Sequence, residues 1–367
     1  MGVTIFICFR LIALVLVFSL ASVPFVVPRA RAESLRDKMT AQARKEGRVV
    51  LAGSQVDQWR DEFTGFRKRY PFIRVQARPA NTRDTINRVF LENRVNKSSI
   101  DVVHVGDDGG ETLAQRGIVQ KFTFPHLKDF VANSQPSHGL YVAMTSFPRF
   151  QGAYNTQLVP RDEVARSWED MLNPRWNGKT LLSRSSEEIP ANLAWLWREG
   201  EKLNWKRAFD FFEKLVKAQK PLVARGYRGG TNRIASGEID AFWFVAPGPP
   251  VRLALKNAPI GIIAFPKFHG GYRTLSVPKH ASHPAAAWLF IDYMTSPQGQ
   301  FEHTDKVGAN FPLNKKAKQG RLGVWLAKQG ATLENADIPP PDKISEIFTE
   351  EVLKKSEKFY FKLLGLR

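Results

Sequence analysis

Cysteine is nearly missing from the 367-residue chain: Cys8 is the only one. It sits inside an apolar leader and lacks the small-residue context of a lipoprotein site, so the mature chain has no thiol. That excludes disulfides, thiolate catalysis and cysteine metal sites. Acid is scarce beside base. There are 54 Lys and Arg against 35 Asp and Glu, a formal charge of +19. The leader carries three of the bases, Arg10, Arg29 and Arg31, and no acid, which leaves +16 on the mature chain. Zinc-finger spacing, long basic runs, GxSxG and HExxH are absent, and RGG occurs once, at Arg228. The bases are spread among acids. They read as a solvated exterior with a few arginines reserved for an anionic ligand.

Catalytic templates are also missing. Asn173 to Thr180, NPRWNGKT, ends like a phosphate loop but has Asn where the first glycine is required. Asp107-Asp108 and Glu187-Glu188 are adjacent pairs, whose side chains point apart on a regular element, so neither supports acid–base roles. The chain therefore reads as no enzyme and as needing no cofactor. An exported hydrolase and a nucleic-acid-binding protein are the alternatives, the second resting on charge alone. No nucleic acid partner is expected.

What is present begins with export. Leu11 to Val27 is almost wholly apolar, Pro24 and Pro28 lie near its end, and Ala30-Arg31-Ala32 is a small-x-small cleavage site. Residues 1–32 read as a signal peptide and Glu33 as the mature start, which places the protein in a periplasm. The run also approaches spanning length, so an uncleaved anchor is the alternative. Beyond it, 43% hydrophobic and 24% charged residues describe a globular chain long enough for two lobes.

The first half alternates strand and helix. LRDKMTAQARKEG is a helix closed by glycine, and RVVLAG is a strand opening into Ser54-Gln55. WRDEFTGFRKRY carries Trp59, Phe63 and Phe66 at helical spacing, as core residues. IRVQARPA, a helix from Asn81 or Thr82 as cap, IDVVHVG and ETLAQRG follow, a β–α–β pattern of a parallel sheet with crossover helices. SWEDMLNPRWNGK reads as helix then turn, and TLLSRSS as a strand entering a polar loop. Later come helices at Ile189–Arg198, Trp205–Lys217 and from Pro284, strands IGIIAFPKF and GGYRTLSVP, and a long last helix from Ile344. His280 and His283 flank the Pro284 helix and read as cap or surface groups, not metal ligands.

One stretch concentrates binding potential. Arg225 to Gly230 reads as a glycine-rich basic loop, Thr231 or Asn232 as the cap of a short helix ending near Gly237, and EIDAFWFV as a strand. Arginines, glycines and a helix N-terminus together make an anion seat.

Seven collinear pieces, KEGRVVLAGS, RYPFIRVQ with its preceding helix, IDVVHV, GAYNTQLV, SWEDMLNPRWNGK, ASGEIDA and HPAAAWLFIDYMTSPQGQ, resemble the extracellular solute-binding proteins of ABC importers, in the iron(III)-type branch. The resemblance implies a two-lobed α/β fold of the type II periplasmic binding protein class, with two mixed sheets flanked by helices. Crossing strands near Ala143 to Arg149 and Ile262 to Pro266 would join the lobes. It implies lobe one at residues 33–147 plus 265–305, lobe two at 148–264, and C-terminal helices at 306–367. It maps ligand contacts to Ser54 and Gln55, to Thr82, Arg83 and Asp84, to Ser183, Arg184 and Ser185, and to Tyr227 and Arg228. Ser54 and Thr82 also read as caps, Arg83 as a solvated residue, and Ser183 to Ser186 as a plain turn. Iron carriers of this branch keep two adjacent tyrosines after the GE strand. Here those positions fall near Pro247 and Gly248, no Tyr-Tyr pair occurs, and Asp84 alone cannot hold Fe(III). The expected ligand is a small organic anion held by guanidinium groups, with no metal site. The expected partners are that solute and the importer's permease subunits, and the chain is expected to be a monomer. Ferric binding is the alternative.

Overall fold

The computed structural model describes residues 34–54, 56–59, 64–265 and 267–366. The expected leader at 1–32, and the expectations placed on Gln55, Phe63 and Pro266, lie outside the described residues. Helix α1 (Leu35–Glu46) leads into β1 (Arg48–Gly53). A 3-10 turn over Val56–Trp59 precedes α2 (Thr64–Arg69), and Trp59 and Phe66 are both buried in the core. Then come β2 (Arg74–Pro79), α3 (Thr82–Arg94), β3 (Val102–Gly106) and α4 (Asp107–Gln115). Asn81 caps α3, its side chain accepting from the Asp84 amide at 2.8 Å.

Strand β4 (Val142–Pro148) runs almost directly into β5 (Gln151–Asn155). The segment expected as helix then turn forms two single 3-10 turns, Glu169–Leu172 and Pro174–Trp176, because Pro174 interrupts it. Next are β6 (Thr180–Ser183), α5 (Ile189–Leu196), α6 (Trp205–Gln219), β7 (Leu222–Ala224), α7 (Tyr227–Ala235), β8 (Ala241–Val245), α8 (Gly248–Ala254) and β9 (Ile260–Ile263). Strand β10 (Phe268–Ser276), α9 (Pro284–Thr295), α10 (Pro297–Glu302), β11 (Phe311–Pro312), α11 (Arg321–Lys328), β12 (Ala336–Asp337), α12 (Ile344–Ile347) and α13 (Glu350–Leu363) finish the chain. The last helix is thus two helices, parted at Phe348-Thr349, where the Thr349 hydroxyl caps α13 by accepting from the Val352 amide.

Two mixed sheets result. The first is ordered β11-β4-β10-β3-β1-β2, with β12 paired to β10; the second is ordered β7-β6-β8-β5-β9. Strands β1, β2 and β3 pair in parallel, as do β6, β7 and β8. The apolar runs of β1, β3, β6 and β8 are buried on both faces, as in a parallel sheet, whereas β2 and β7 lie at the sheet edges and stay largely accessible. The segment after residue 306 supplies helices and also β11 and β12 to the first sheet.

Helix α9 is apolar around its whole circumference and wholly buried after Pro284. Its one acid, Asp292, pairs with Arg36 of α1 at 2.8 Å. At its start, His283 is only 9% exposed. Its ring contacts the Asp101 carboxylate at 2.8 Å, while Arg48 Nε donates to the other ring nitrogen. Asp101 also accepts the backbone amides of Val50 and His283. That carboxylate ties the sheet to α9. Asp101→Ala strands two buried amides and is expected to cost about 3 kcal/mol or more, read by urea denaturation. A loss below about 1 kcal/mol would show that the amides find other partners.

Candidate functional site between the sheets

The parallel strands of both sheets end at one place. Gly53, Pro79 and Gly106 close β1, β2 and β3, and Ser183, Ala224 and Val245 close β6, β7 and β8. Open α/β sheets bind ligands beyond such ends. Gly53 is required there: at φ +140°, an added Cβ would lie 1.8 Å from the His104 carbonyl oxygen.

Ser54 follows β1, and its carbonyl accepts from His104 Nδ1 at 2.9 Å. Thr82, Arg83 and Asp84 form the first turn of α3. Arg83 and Asp84 are exposed, and Asp84 Oδ2 is engaged by the Asn81 amide at 2.7 Å. Ser183 is buried and its hydroxyl accepts from the Ser185 amide, so it shapes its own loop. Arg184 and Ser185 are exposed; the Arg184 guanidinium lies 5.4 Å from the Phe361 ring. Tyr227 donates to the Ser185 carbonyl and meets the Ser186 hydroxyl at 3.4 Å. The Ser183–Ser185 and Tyr227 predictions therefore meet in one hydrogen-bonded group. Arg83 reaches it electrostatically, since it and Arg184 both act on Glu187.

The glycine-rich loop is not a loop. Helix α7 starts at Tyr227, with Gly226 as its N-cap, so Arg228, Gly229 and Gly230 lie in its first turn and Thr231 lies inside it. The cause is packing. A Cβ on Gly230 would fall 2.3 Å from the Phe242 ring, so glycine lets this turn rest on β8. No side chain caps α7, and none caps α4 at Gly106.

The group that joins the two halves is Arg149, between β4 and β5. It bonds Asp107 at the start of α4 and reaches Glu188, just before α5, at 3.4 Å. Asp107 also accepts the Tyr272 and Asp108 amides at 2.9 and 3.0 Å. Beside it, the Arg273 guanidinium of β10 lies 4.2 Å from the Phe147 ring. Below them Phe244 takes φ +55°, a strained conformation for an aromatic residue, and its carbonyl accepts from Ser186.

The sequence profile described as bacterial extracellular solute-binding protein matches residues 58–332. The chain belongs to that family. The binding protein's fold is that of solved solute-binding proteins at low identity. It is 17% identical to iron-bound HitA from Pseudomonas aeruginosa, covering 84% of this chain and 99% of that one, with a TM-score of 0.68. AfuA from Actinobacillus pleuropneumoniae, solved with fructose 6-phosphate, is 16% identical over 88% and 100%, at 0.67. An ABC-transporter substrate-binding protein from Agrobacterium tumefaciens is 13% identical over 86% and 94%, at 0.72. No curated protein sequence matches significantly. Among the described residues no helix is long and apolar enough to cross a membrane, and no group of three or more His, Cys, Asp or Glu could hold a metal ion.

Sequence reasoning missed the binding protein's central charge cluster, in which Asp107 is buried and Arg149, Glu188 and Arg273 are partly exposed. Arg149, Asp107, Glu188 and Arg273 come from four separate segments. Asp107 and Glu188 had registered only as halves of acidic pairs. Each does point away from its neighbour, and that is how Asp107 turns inward while Asp108 stays half-exposed. Burial works against the Arg149 charge, but Asp107 and Glu188 outweigh it and raise its pKa. Burial and then Arg149 lower Arg273 to about 10. Burial, with Asp108, Glu187 and Asp107 adding to it and Arg149 opposing, raises Glu188 to about 7. Its side chain keeps 37% exposure, so water screens part of that shift.

A carboxyl with a raised folded pKa holds extra protons in the folded state. The stability it contributes is therefore complete below 4.5 and is lost as pH rises toward about 7. Glu188→Gln is expected to flatten that part of the stability–pH profile in urea titrations at pH 5 and pH 8. An unchanged slope would remove Glu188 as its source.

Proposed function

We propose that the protein is the periplasmic solute receptor of an ABC importer. It captures a small anionic organic solute, a phosphate ester, phosphonate or carboxylate, between its lobes by hinge closure and delivers it to permease subunits. The observation that carries this reading is a pair of helix N-termini without side-chain caps, α4 and α7, at the strand ends of the two sheets. The second offers free N–H groups to an anion, while at the first the Asp108 amide is already held by the Asp107 carboxylate. Arg228 is exposed beside the second, and Arg83 stands in the first turn of α3. Ser54, Thr82, Arg184, Ser185 and Tyr227 complete the contact set.

Arg149 is neutralised by its two carboxylates and serves the scaffold. The same region holds Asp108 and Glu187, acceptors that suit hydroxyl or ammonium donors on the organic part of the solute. A fully deprotonated inorganic anion such as sulfate lacks those donors. AfuA, solved with a sugar phosphate, provides one instance of such chemistry on this fold. We assign lobe one to residues 33–147 plus 265–305 and lobe two to 148–264, with β4–β5 and β9–β10 as the crossings. Contacts made from both lobes at once would favour the closed form. We propose a monomer exported through cleavage of residues 1–32, with no catalytic step.

HitA is solved with iron, but the residues of this chain speak against ferric cargo. Pro247 and Gly248, near which the tyrosine pair of iron carriers would stand, begin α8, and neither offers a phenolate. Fe(III) addition is expected to give no phenolate-to-iron absorption band, and a visible band would reverse that choice.

In a thermal-shift screen of sugar phosphates, aminoalkylphosphonates and carboxylates, at least one compound is expected to raise the melting temperature. Silence across all three classes would sink the reading. For that compound, Arg228→Ala is expected to weaken affinity at least about tenfold by removing one charge-assisted contact worth about 1.5–3 kcal/mol, with little loss of stability. Unchanged affinity would remove Arg228 from the site.

A further inference from the structure

The family match ends at residue 332, and the chain beyond it touches both sheets. Strand β12 pairs with β10 at Phe268 and His269. Asp342 accepts the Ser137 amide at 3.0 Å, and α12 packs against α4 with Ile344 buried. Asp337 pairs with Arg198, just past α5, at 2.6 Å. Helix α13 then lies on α5 and α6, and the Tyr360 ring stands 6.0 Å from that of Phe212.

Two fully buried side chains of α13 end on the backbone of one loop. The Tyr360 hydroxyl donates to the Ser183 carbonyl at 2.7 Å. The Ser356 hydroxyl donates to the Glu187 carbonyl at 2.7 Å and accepts from the Ala191 amide at 3.0 Å. Those carbonyls bracket a single 3-10 turn, Arg184–Ser186. Inside the turn, the Ser183 hydroxyl accepts the Ser185 amide, and Ser186 and Tyr227 fix the middle. One turn of 3-10 helix has little stability of its own, so its outline depends on these outside bonds.

We infer that Tyr360 and Ser356 are positioning residues for the 183–188 loop: α13 holds both of its ends, and the segment from β12 to α13 links that loop to the first sheet. The importance of the loop rests on the proposed solute site; the anchoring itself does not, and it is tested without a ligand. It gives a role to a segment outside the family match, because a shift of α13 moves Arg184, Glu187 and Glu188 together.

The test is hydrogen exchange on the full mature chain, comparing wild type with Tyr360→Phe, Ser356→Ala and the exposed control Lys358→Ala. Tyr360→Phe keeps the ring in the core and removes only the hydroxyl. Peptides covering 183–192 are expected to exchange at least about tenfold faster in the first two variants, as a local opening with its own low free energy. Peptides from β1, β3 and α6, and every peptide of the control, are expected to match wild type. Unchanged exchange at 183–192 in both variants would overturn the inference. So would an increase spread evenly over β6, β8 and α6, which is what a general stabilising role of α13 predicts.

Discussion

Arg149 is the charge on which the arrangement of the two sheets depends. It sits where the chain leaves the first sheet for the second, with 11% of its side chain exposed. A buried guanidinium is tolerated only with paired, hydrogen-bonded acceptors. Asp107 supplies one from the first half, itself fixed by two backbone amides, and Glu188 supplies the other from the second. Each carboxylate stands at the start of a helix, where the positive dipole end favours negative charge. The crossing is thus set by electrostatics as well as by strand pairing. Arg149 cannot take a conformation that leaves both carboxylates without stranding a buried charge.

This has a consequence for where solute charge can be met. The mature chain carries a large positive excess, but the core of the site does not. Arg149 is balanced by Asp107 and Glu188, and Arg273 stands against Phe147 beneath them. Exposed positive charge lies in the first turns of α3 and α7, at Arg83 and Arg228, and in the uncapped start of α7. Under the proposed function, a solute would meet cations and a helix end on the exposed turns and carboxylates beside Arg149. That polarity suits a molecule with an anionic end and a donor-bearing body.

Much of this was legible in the sequence, and the parts that were not share a cause. The alternation of strands and helices in the first half, the Asn81 cap and the helix from Pro284 follow from local pattern: period, capping chemistry and proline at a helix start. The start of α7 was misread because glycines beside arginines look like a flexible loop, whereas Gly230 is set by Phe242, a contact made across the fold. Arg149 gave no signal because its partners lie 42 and 39 residues away. The SWEDMLNPRW segment carries helix-forming residues, but Pro174 and the burial of Trp176 divide it into turns.

Phe244 brings these threads to one point. It lies at the end of β8, buried, in a left-handed conformation that disfavours an aromatic side chain. Its carbonyl receives the Ser186 hydroxyl, so the strain lies directly beneath the loop that α13 holds from the other side. The Trp168 ring is stacked on it at 6.1 Å, and the Phe212 ring lies 5.3 Å away. Such a conformation persists only where the surroundings over-determine it. The aromatic packing of the second sheet supplies that constraint. The loop that presents Arg184, Glu187 and Glu188 is therefore shaped by its own serines together with the core of Phe, Trp and Tyr side chains on which it rests.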